Sequence, residues 1–300
     1  MARFQDCVVL ITGGTSGIGL ATAIKFASEG ARHVVVCGRT LAKWEKAKKG
    51  LSRQQLAVIE YRYCDVRLEA EIQELIRGIF EDYGQLDVCF NNAGVQPVAA
   101  GDITAMDFES AVTNDGSIIY RLPGPAISSD CLPSQKTPVS SHCESPLATS
   151  IFGIFYSLKW ELDYIYQYQP INRPVAIVNT ASRNGILPDY HRPLYAGAKA
   201  FIISMTKTLA SQAAQRAIAD GRALIRINCV APGPIDTPLE RAIYPGDFNN
   251  SASVGVPLGR VGSPSEIATV VLFLADPNMS SYITGTTISA DGGYTSSPIF

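Results

Sequence analysis

A single doubly wound α/β domain, its sheet parallel and its helices on both faces, is the fold class this sequence predicts, on three observations. Short apolar, β-rich runs alternate with helical patterns through most of the 300 residues. The runs are apolar throughout rather than at every second position, as a parallel sheet covered on both faces requires. The first run leads into a glycine-rich turn and then a helix, the arrangement that binds dinucleotides.

In chain order, strands are expected at 7–12, 33–38, 56–63, 86–91, 174–181, 223–230 and 286–290. Helices are expected between them at 17–28, 41–52, 68–83, 151–169, 193–217 and 264–275. No internal repeat and no shift in composition divides the chain, so 1–300 reads as one domain. One stretch breaks the rhythm. Between Asn114 and Ile151 lie 36 residues, 13 of them Ser or Pro, with no sustained apolar period. It reads as irregular. A structureless loop of that length is uncommon inside a compact domain, so 115–150 is either functional or foreign to the fold.

Composition narrows the function. The chain is 46% hydrophobic and 17% charged, with a net charge of -2 and a pI of about 6.0, which describes a soluble globular protein with a full-sized core. That balance offers no electrostatic footprint for nucleic acid or an anionic membrane, leaving small-molecule chemistry. Cys7, Cys37, Cys64, Cys89, Cys131, Cys143 and Cys229 are odd in number, lack C-x-x-C spacing and mostly lie in apolar runs. They read as buried reduced thiols of a cytoplasmic protein, with no metal site. The N-terminus has no apolar signal core, the run at 268–275 is too short to span a bilayer, and the C-terminus carries no readable targeting signal.

The chemistry-bearing motifs begin at Thr12-Gly13-Gly14-Thr15-Ser16-Gly17-Ile18-Gly19. Glycines there allow a tight turn, bring backbone N–H groups close to a pyrophosphate and place it at a helix N-terminus. At the end of the second strand a site for NAD would carry Asp or Glu to accept from the ribose, whereas this chain has Arg39, suited to a 2′-phosphate. NADP(H) is favoured, and NAD(H) stays open because Arg39 also reads as a solvated arginine and Ser16 adds no second cation. Asp65, followed by Val66, either holds the adenine edge or caps the next helix. Asn91-Asn92-Ala93-Gly94 ends the fourth strand, either as a cofactor contact or as a plain turn.

Tyr195 and Lys199, four residues apart in a helical pattern, share one face. A cation beside a phenol lowers a pKa of ~10, making a proton donor and acceptor usable near neutrality. Chance nearly supplies that spacing, so context must carry it. Ser182 lies thirteen residues upstream.

Together these residues resemble the short-chain dehydrogenase/reductases. Thr12-Gly13-x-x-x-Gly17-x-Gly19, Asp65, Asn91-Asn92-Ala93-Gly94, Asn114, Ser182, Tyr195-x-x-x-Lys199 and Pro232-Gly233 stand in that family's order and spacing. Pro257-Leu258-Gly259-Arg260-Val261-Gly262 and Asp291-Gly292-Gly293 are also similar to it. The resemblance implies a Rossmann-like fold and oxidoreduction between a carbonyl and a secondary alcohol, NADP-linked, with an NAD-linked alcohol dehydrogenase as the alternative. It implies that Tyr195 exchanges a proton with substrate, Lys199 biases it and binds the nicotinamide ribose, Ser182 orients the carbonyl and Asn114 supports a water. Pro232, Gly233, Ile235 and Thr237 would lie beside the nicotinamide. A homodimer or homotetramer through helices 151–169 and 193–217 is likewise implied, and 239–253 resembles a mobile lid. The Tyr-Lys spacing speaks against a reductase of enoyl double bonds. His191 reads as packing or solvated, and Lys43-Trp44-Glu45-Lys46-Ala47-Lys48-Lys49 as a solvated helix face.

The chain departs from that family in one place. The helix pattern of 106–114 stops at Asn114 and its continuation resumes only at Ile151; joining the two restores the family pattern. Residues 115–150 therefore read as an insertion, such as a retained intron, against a genuine lid or partner-binding loop. A catalytically silent dinucleotide-binding protein is the corresponding non-enzyme reading.

Overall fold

The computed structural model describes residues 3–95, 148–189, 192–243, 249, 253 and 255–296. Asn114, His191, Cys131, Cys143, most of 115–150 and most of the lid segment lie outside them.

Seven strands form one parallel sheet in the order β3-β2-β1-β4-β5-β6-β7. They are β1 (Val8–Thr12), β2 (His33–Gly38), β3 (Ile59–Tyr63), β4 (Val88–Asn91), β5 (Val175–Thr180), β6 (Ile225–Pro232) and β7 (Thr287–Ala290). Consecutive strand residues serve opposite faces. Val8 and Leu10 join one core cluster with Val35, Ile76 and Ile177, whereas Val9 and Ile11 join the other with Phe26, Val36 and Val178. The unbroken apolar runs are two half-patterns superposed, as expected for a sheet covered on both sides. The edge strands are the exception, since β3 and β7 are largely half-exposed.

The helices are α1 (Gly17–Ser28), α2 (Leu41–Ala47), α3 (Arg53–Leu56), α4 (Glu69–Tyr83), α5 (Gly153–Tyr168), α6 (Pro193–Ala219), α7 (Pro238–Ile243), α8 (Pro264–Ala275) and α9 (Pro277–Ser280). The helix expected at 41–52 is interrupted. α2 passes into a 3-10 turn at Lys48–Gly50, and Ser52 with Gln55 forms a reciprocal capping box that starts α3 afresh. Consequently β3 begins at Ile59 rather than at residue 56. α4 stops at Gly84, whose φ of 70° supplies a left-handed cap.

The irregular reading of 115–150 does not hold at its end. Ala148–Phe152 is a π-helical turn that runs into α5, and Ala148, Thr149 and Ser150 are buried. Three small residues fit beneath α6, against which the turn packs. Among the described residues no helix is long and apolar enough to cross a membrane. Cys7, Cys37, Cys64, Cys89 and Cys229 are free, and all but Cys7 are buried.

Candidate active site

The carboxyl ends of β1 and β4 are tied together before any ligand arrives. Thr12 Oγ1 accepts from the backbone N–H groups of Asn92 and Ala93, each at 3.1 Å. Asn92 Nδ2 donates to the carbonyls of Thr12 at 3.3 Å and Gly13 at 3.2 Å. The Asn92-Ala93 segment is thus a strut under the glycine turn. Gly13 sits at φ 65°, and a Cβ there would meet Ala93 Cα at 2.9 Å. A Cβ on Gly19 would lie 2.4 Å from the Gly13 carbonyl oxygen. Gly17, at φ 52°, faces the Thr237 methyl. Ser16 is the N-cap of α1 but makes no side-chain cap, so its hydroxyl leaves the first-turn N–H groups unbonded. Thr15 lies against Gly38 at the end of β2.

At the next strand ends, the Arg39 guanidinium lies 3.9 Å from the Asp65 carboxylate. Asp65 is neither solvated nor the cap of α4, whose N-cap is Leu68. Burial pushes its carboxyl up, but the Arg67 guanidinium and backbone, together with Arg39, carry it below its ordinary value. Val66 is buried against Gly153, locking the end of β3 to the start of α5.

Ser182, Tyr195 and Lys199 surround one cavity of about 110 Å³. Ile18, Asn92 and Gly94 line its glycine-turn side, and Pro232, Gly233, Ile235 and Thr237 its β6 side. Ten of the residues singled out in the sequence therefore share a wall, while Thr12, Gly13, Thr15, Ser16, Gly17, Gly19, Arg39, Asp65, Val66 and Ala93 lie along the adjoining strand ends. The Ser182 hydroxyl caps a 3-10 turn, Arg183–Gly185, by accepting from Asn184 N at 3.2 Å. That turn seats on α6 because position 185 is glycine: a Cβ would fall 2.7 Å from the Lys199 backbone.

The electrostatics differ from the sequence expectation. Burial pushes the Tyr195 phenol up to about 12; its hydrogen bond with Ser182 lowers it, Glu240 raises it, and Arg192 and Arg183 lower it. Lys199 is not among these influences. Its ammonium donates to the Thr180 carbonyl at 3.0 Å and stands 5.7 Å from the Tyr195 ring centre, and burial brings it down to about 8. Desolvation outweighs the cation at this buried site. Arg183, Arg192 and Glu240 also line the cavity and escaped the sequence reading. Adjacency to Ser182 and the three-residue offset of Arg192 from Tyr195 are the signals that mark the arginines; Glu240 falls within the 239–253 segment that resembles a lid.

A model described as short chain dehydrogenase matches residues 7–115, and one described as enoyl-(acyl carrier protein) reductase matches residues 144–295. The chain belongs to the short-chain dehydrogenase/reductase family. It is 41% identical to an uncharacterised short-chain type dehydrogenase/reductase of Acanthamoeba polyphaga mimivirus over 99% of both chains. It is 31% identical to the 3-oxoacyl-(acyl-carrier-protein) reductase FabG of Thermotoga maritima over 97% of this chain and 98% of that one. Among solved structures it resembles levodione reductase, with a TM-score of 0.74 at 27% identity over 99% of this chain and 100% of the other. The aldohexose dehydrogenase of Thermoplasma acidophilum superposes with a TM-score of 0.74 at 25% identity, over 100% and 98% respectively.

As a short-chain dehydrogenase/reductase, the chain is an oxidoreductase that uses a nicotinamide dinucleotide. The residues present fit that group. The glycine turn packs so tightly on the neighbouring strand ends that a Cβ at Gly13, Gly14 or Gly19 would collide with them, which lets backbone come close to a pyrophosphate, and the N-terminus of α1, without a side-chain cap from Ser16, offers it N–H groups and the positive end of a helix dipole. The two family models leave 116–143 unmatched.

Proposed function

We propose that this protein is an NADP(H)-dependent oxidoreductase interconverting a carbonyl and a secondary alcohol on a small organic substrate, with Tyr195 as general acid/base. The observation that carries the reading is the convergence of Ser182, Tyr195 and Lys199 on one cavity whose other wall is the Pro232–Thr237 segment. The dinucleotide supplies hydride chemistry when bound. The glycine turn and the α1 N-terminus would hold its pyrophosphate, and Arg39 its 2′-phosphate. Ser182 orients the substrate oxygen. Tyr195, held protonated by burial, donates the proton that a reduced carbonyl oxygen requires, which favours reduction at neutral pH. Lys199, brought down to about 8, lies close enough to neutrality to replace that proton.

We also read 115–150 as an insertion into this domain, and the helices α5 and α6 as the face through which copies pair in the cytoplasm. Phe155 and Tyr168 stand exposed on α5. Light scattering after size exclusion that shows only monomer contradicts the pairing. The cofactor reading is tested by comparing consumption of NADPH and NADH in wild type and Arg39→Ala. A preference for NADPH that survives the substitution removes Arg39 from the account.

A further inference from the structure

The Asp65 carboxylate is the meeting point of two guanidiniums. Arg67 clamps it with Nε at 3.0 and 3.1 Å and Nη2 at 2.6 Å, while its backbone N–H adds a bond at 3.1 Å. Arg39 approaches from the neighbouring strand end, 3.9 Å from the same carboxylate, and feels Arg67 as a repelling like charge. The three residues are neighbours because β2 and β3 end together. Gly38 pairs in register with Tyr63, and Cys64 N donates to the Gly38 carbonyl at 3.3 Å.

One guanidinium suffices to neutralise a buried carboxylate. The second, Arg39, stands at the carboxyl ends of β2 and β3, where the crevice of a doubly wound sheet lies, and there Glu71 Oε2, accepting from the Asp65 backbone N–H at 2.6 Å, supplies a second carboxylate. The Arg67 fork is only half used: a guanidinium carries five N–H donors, and among the described residues Nη1 has no partner. Without Arg67, moreover, Asp65 would confront a phosphate bound at Arg39 as a bare negative charge.

We infer that Arg67 is a second specificity-determining residue for a ribose 2′-phosphate, cancelling Asp65 with one edge of its guanidinium and offering the other edge to the phosphate beside Arg39. The inference rests on the NADP(H) reading above and deepens it. Asp65 becomes the internal counter-ion that fixes the two cations in one place. This positioning also leaves Asp65 fully engaged, so its carboxylate is unavailable to the adenine edge while Arg67 holds it.

Calorimetric titration of the full chain with adenosine 2′,5′-bisphosphate and with 5′-AMP tests this without turnover, since the two probes differ by the 2′-phosphate. Wild type is expected to bind the bisphosphate at least ~10-fold more tightly, the scale of a charge-assisted contact. Arg67→Met, which keeps the aliphatic stem, is expected to lose most of that ratio with AMP affinity changed less than about twofold. Arg67→Lys, which keeps the charge without the fork, is expected to retain part of the ratio and guards against misfolding of the Met variant. An unchanged ratio in Arg67→Met overturns the role of Arg67 and leaves the NADP(H) reading standing. Equal weakening of both probes overturns it too, by assigning Arg67 a purely structural task. Equal affinity of wild type for the two probes overturns the inference and the NADP(H) reading together.

Discussion

The ammonium of Lys199 is held on the Thr180 carbonyl, 3.0 Å away, at a site where the side chain is 4% exposed. Because burial lowers it to about 8 from an ordinary value of 10.5, the charged form is disfavoured in the folded state. The folded chain therefore carries this penalty in full below pH ~8 and sheds it as pH rises towards ~10.5, where the unfolded chain also loses its proton. Lys199→Met is expected to lose activity yet match or exceed wild-type stability at pH 7. By the conversion of 1.36 kcal/mol per pKa unit, the advantage is on the order of 3 kcal/mol before the lost Thr180 bond is subtracted. Denaturant midpoints that converge between pH 8 and 10 check it.

Glu161 gives the opposite pH dependence. It is wholly buried on α5, with Oε2 3.0 Å from Asn91 Nδ2 and Oε1 without a partner among the described residues. Burial raises it to about 7, against lowering by bonds from Asn91 and Cys89. Stability from this group falls as pH rises from ~4.5 to ~7 and then stays low, because the unfolded chain ionises first. Glu161→Gln should flatten that slope and stabilise the protein at pH 8 by roughly 1–3 kcal/mol. A urea titration at pH 5 and pH 8 measures the difference.

Gly19→Ala sets a methyl 2.4 Å from the Gly13 carbonyl oxygen, and Gly13→Ala adds a strained φ to a 2.9 Å clash. Each is expected to destabilise the turn by at least ~1–3 kcal/mol and to weaken dinucleotide binding more than ten-fold. Gly197→Ala, whose Cβ would enter open space on α6, is the control and should be neutral or slightly stabilising. Thermal melts with and without NADPH separate the three.

Joining Asn114 to Ile151 would put Val112, Thr113 and Asn114 in the places of Ala148, Thr149 and Ser150. The hydroxyls of Thr149 and Ser150 are buried there with no partner among the described residues. A chain lacking 115–150 is expected to fold with the same helix content and to turn over faster, by ~10-fold or more if a misplaced polar group near the catalytic helix is what the longer chain suffers. Circular dichroism and steady-state rates on both chains decide, and sequencing the transcript across the junction tests the intron reading independently.

The sheet was legible because its interior strands are buried along their whole length and mostly apolar, Arg226 and Asn228 on β6 being exceptions, and the turn at Gly13 because only glycine fits it. Tyr195, Lys199 and Ser182 were legible through their spacing read together with the glycine turn at Gly13 and the Pro232-Gly233 segment. What spacing could not convey is the balance of burial against charge: the same Tyr-Lys pair that predicts a lowered phenol in water yields a raised one in a cavity walled by Ile18 and Ile235. Arg67 escaped because two adjacent strand ends, distant in sequence from Arg39, had to be set side by side first. The restart of the chain at Ser52 escaped because a capping box within a charged, helix-favouring stretch leaves the apolar pattern unchanged.

The role proposed for Tyr195 is to deliver the proton in an NADP(H)-linked carbonyl reduction. NADPH oxidation screened over carbonyl classes, with wild type and Tyr195→Phe side by side and NADPH binding followed by fluorescence, tests it most directly. Turnover is expected in wild type, with a loss of about 10²–10⁴-fold in the variant and equal cofactor binding in both. Turnover in Tyr195→Phe at the wild-type rate would contradict it.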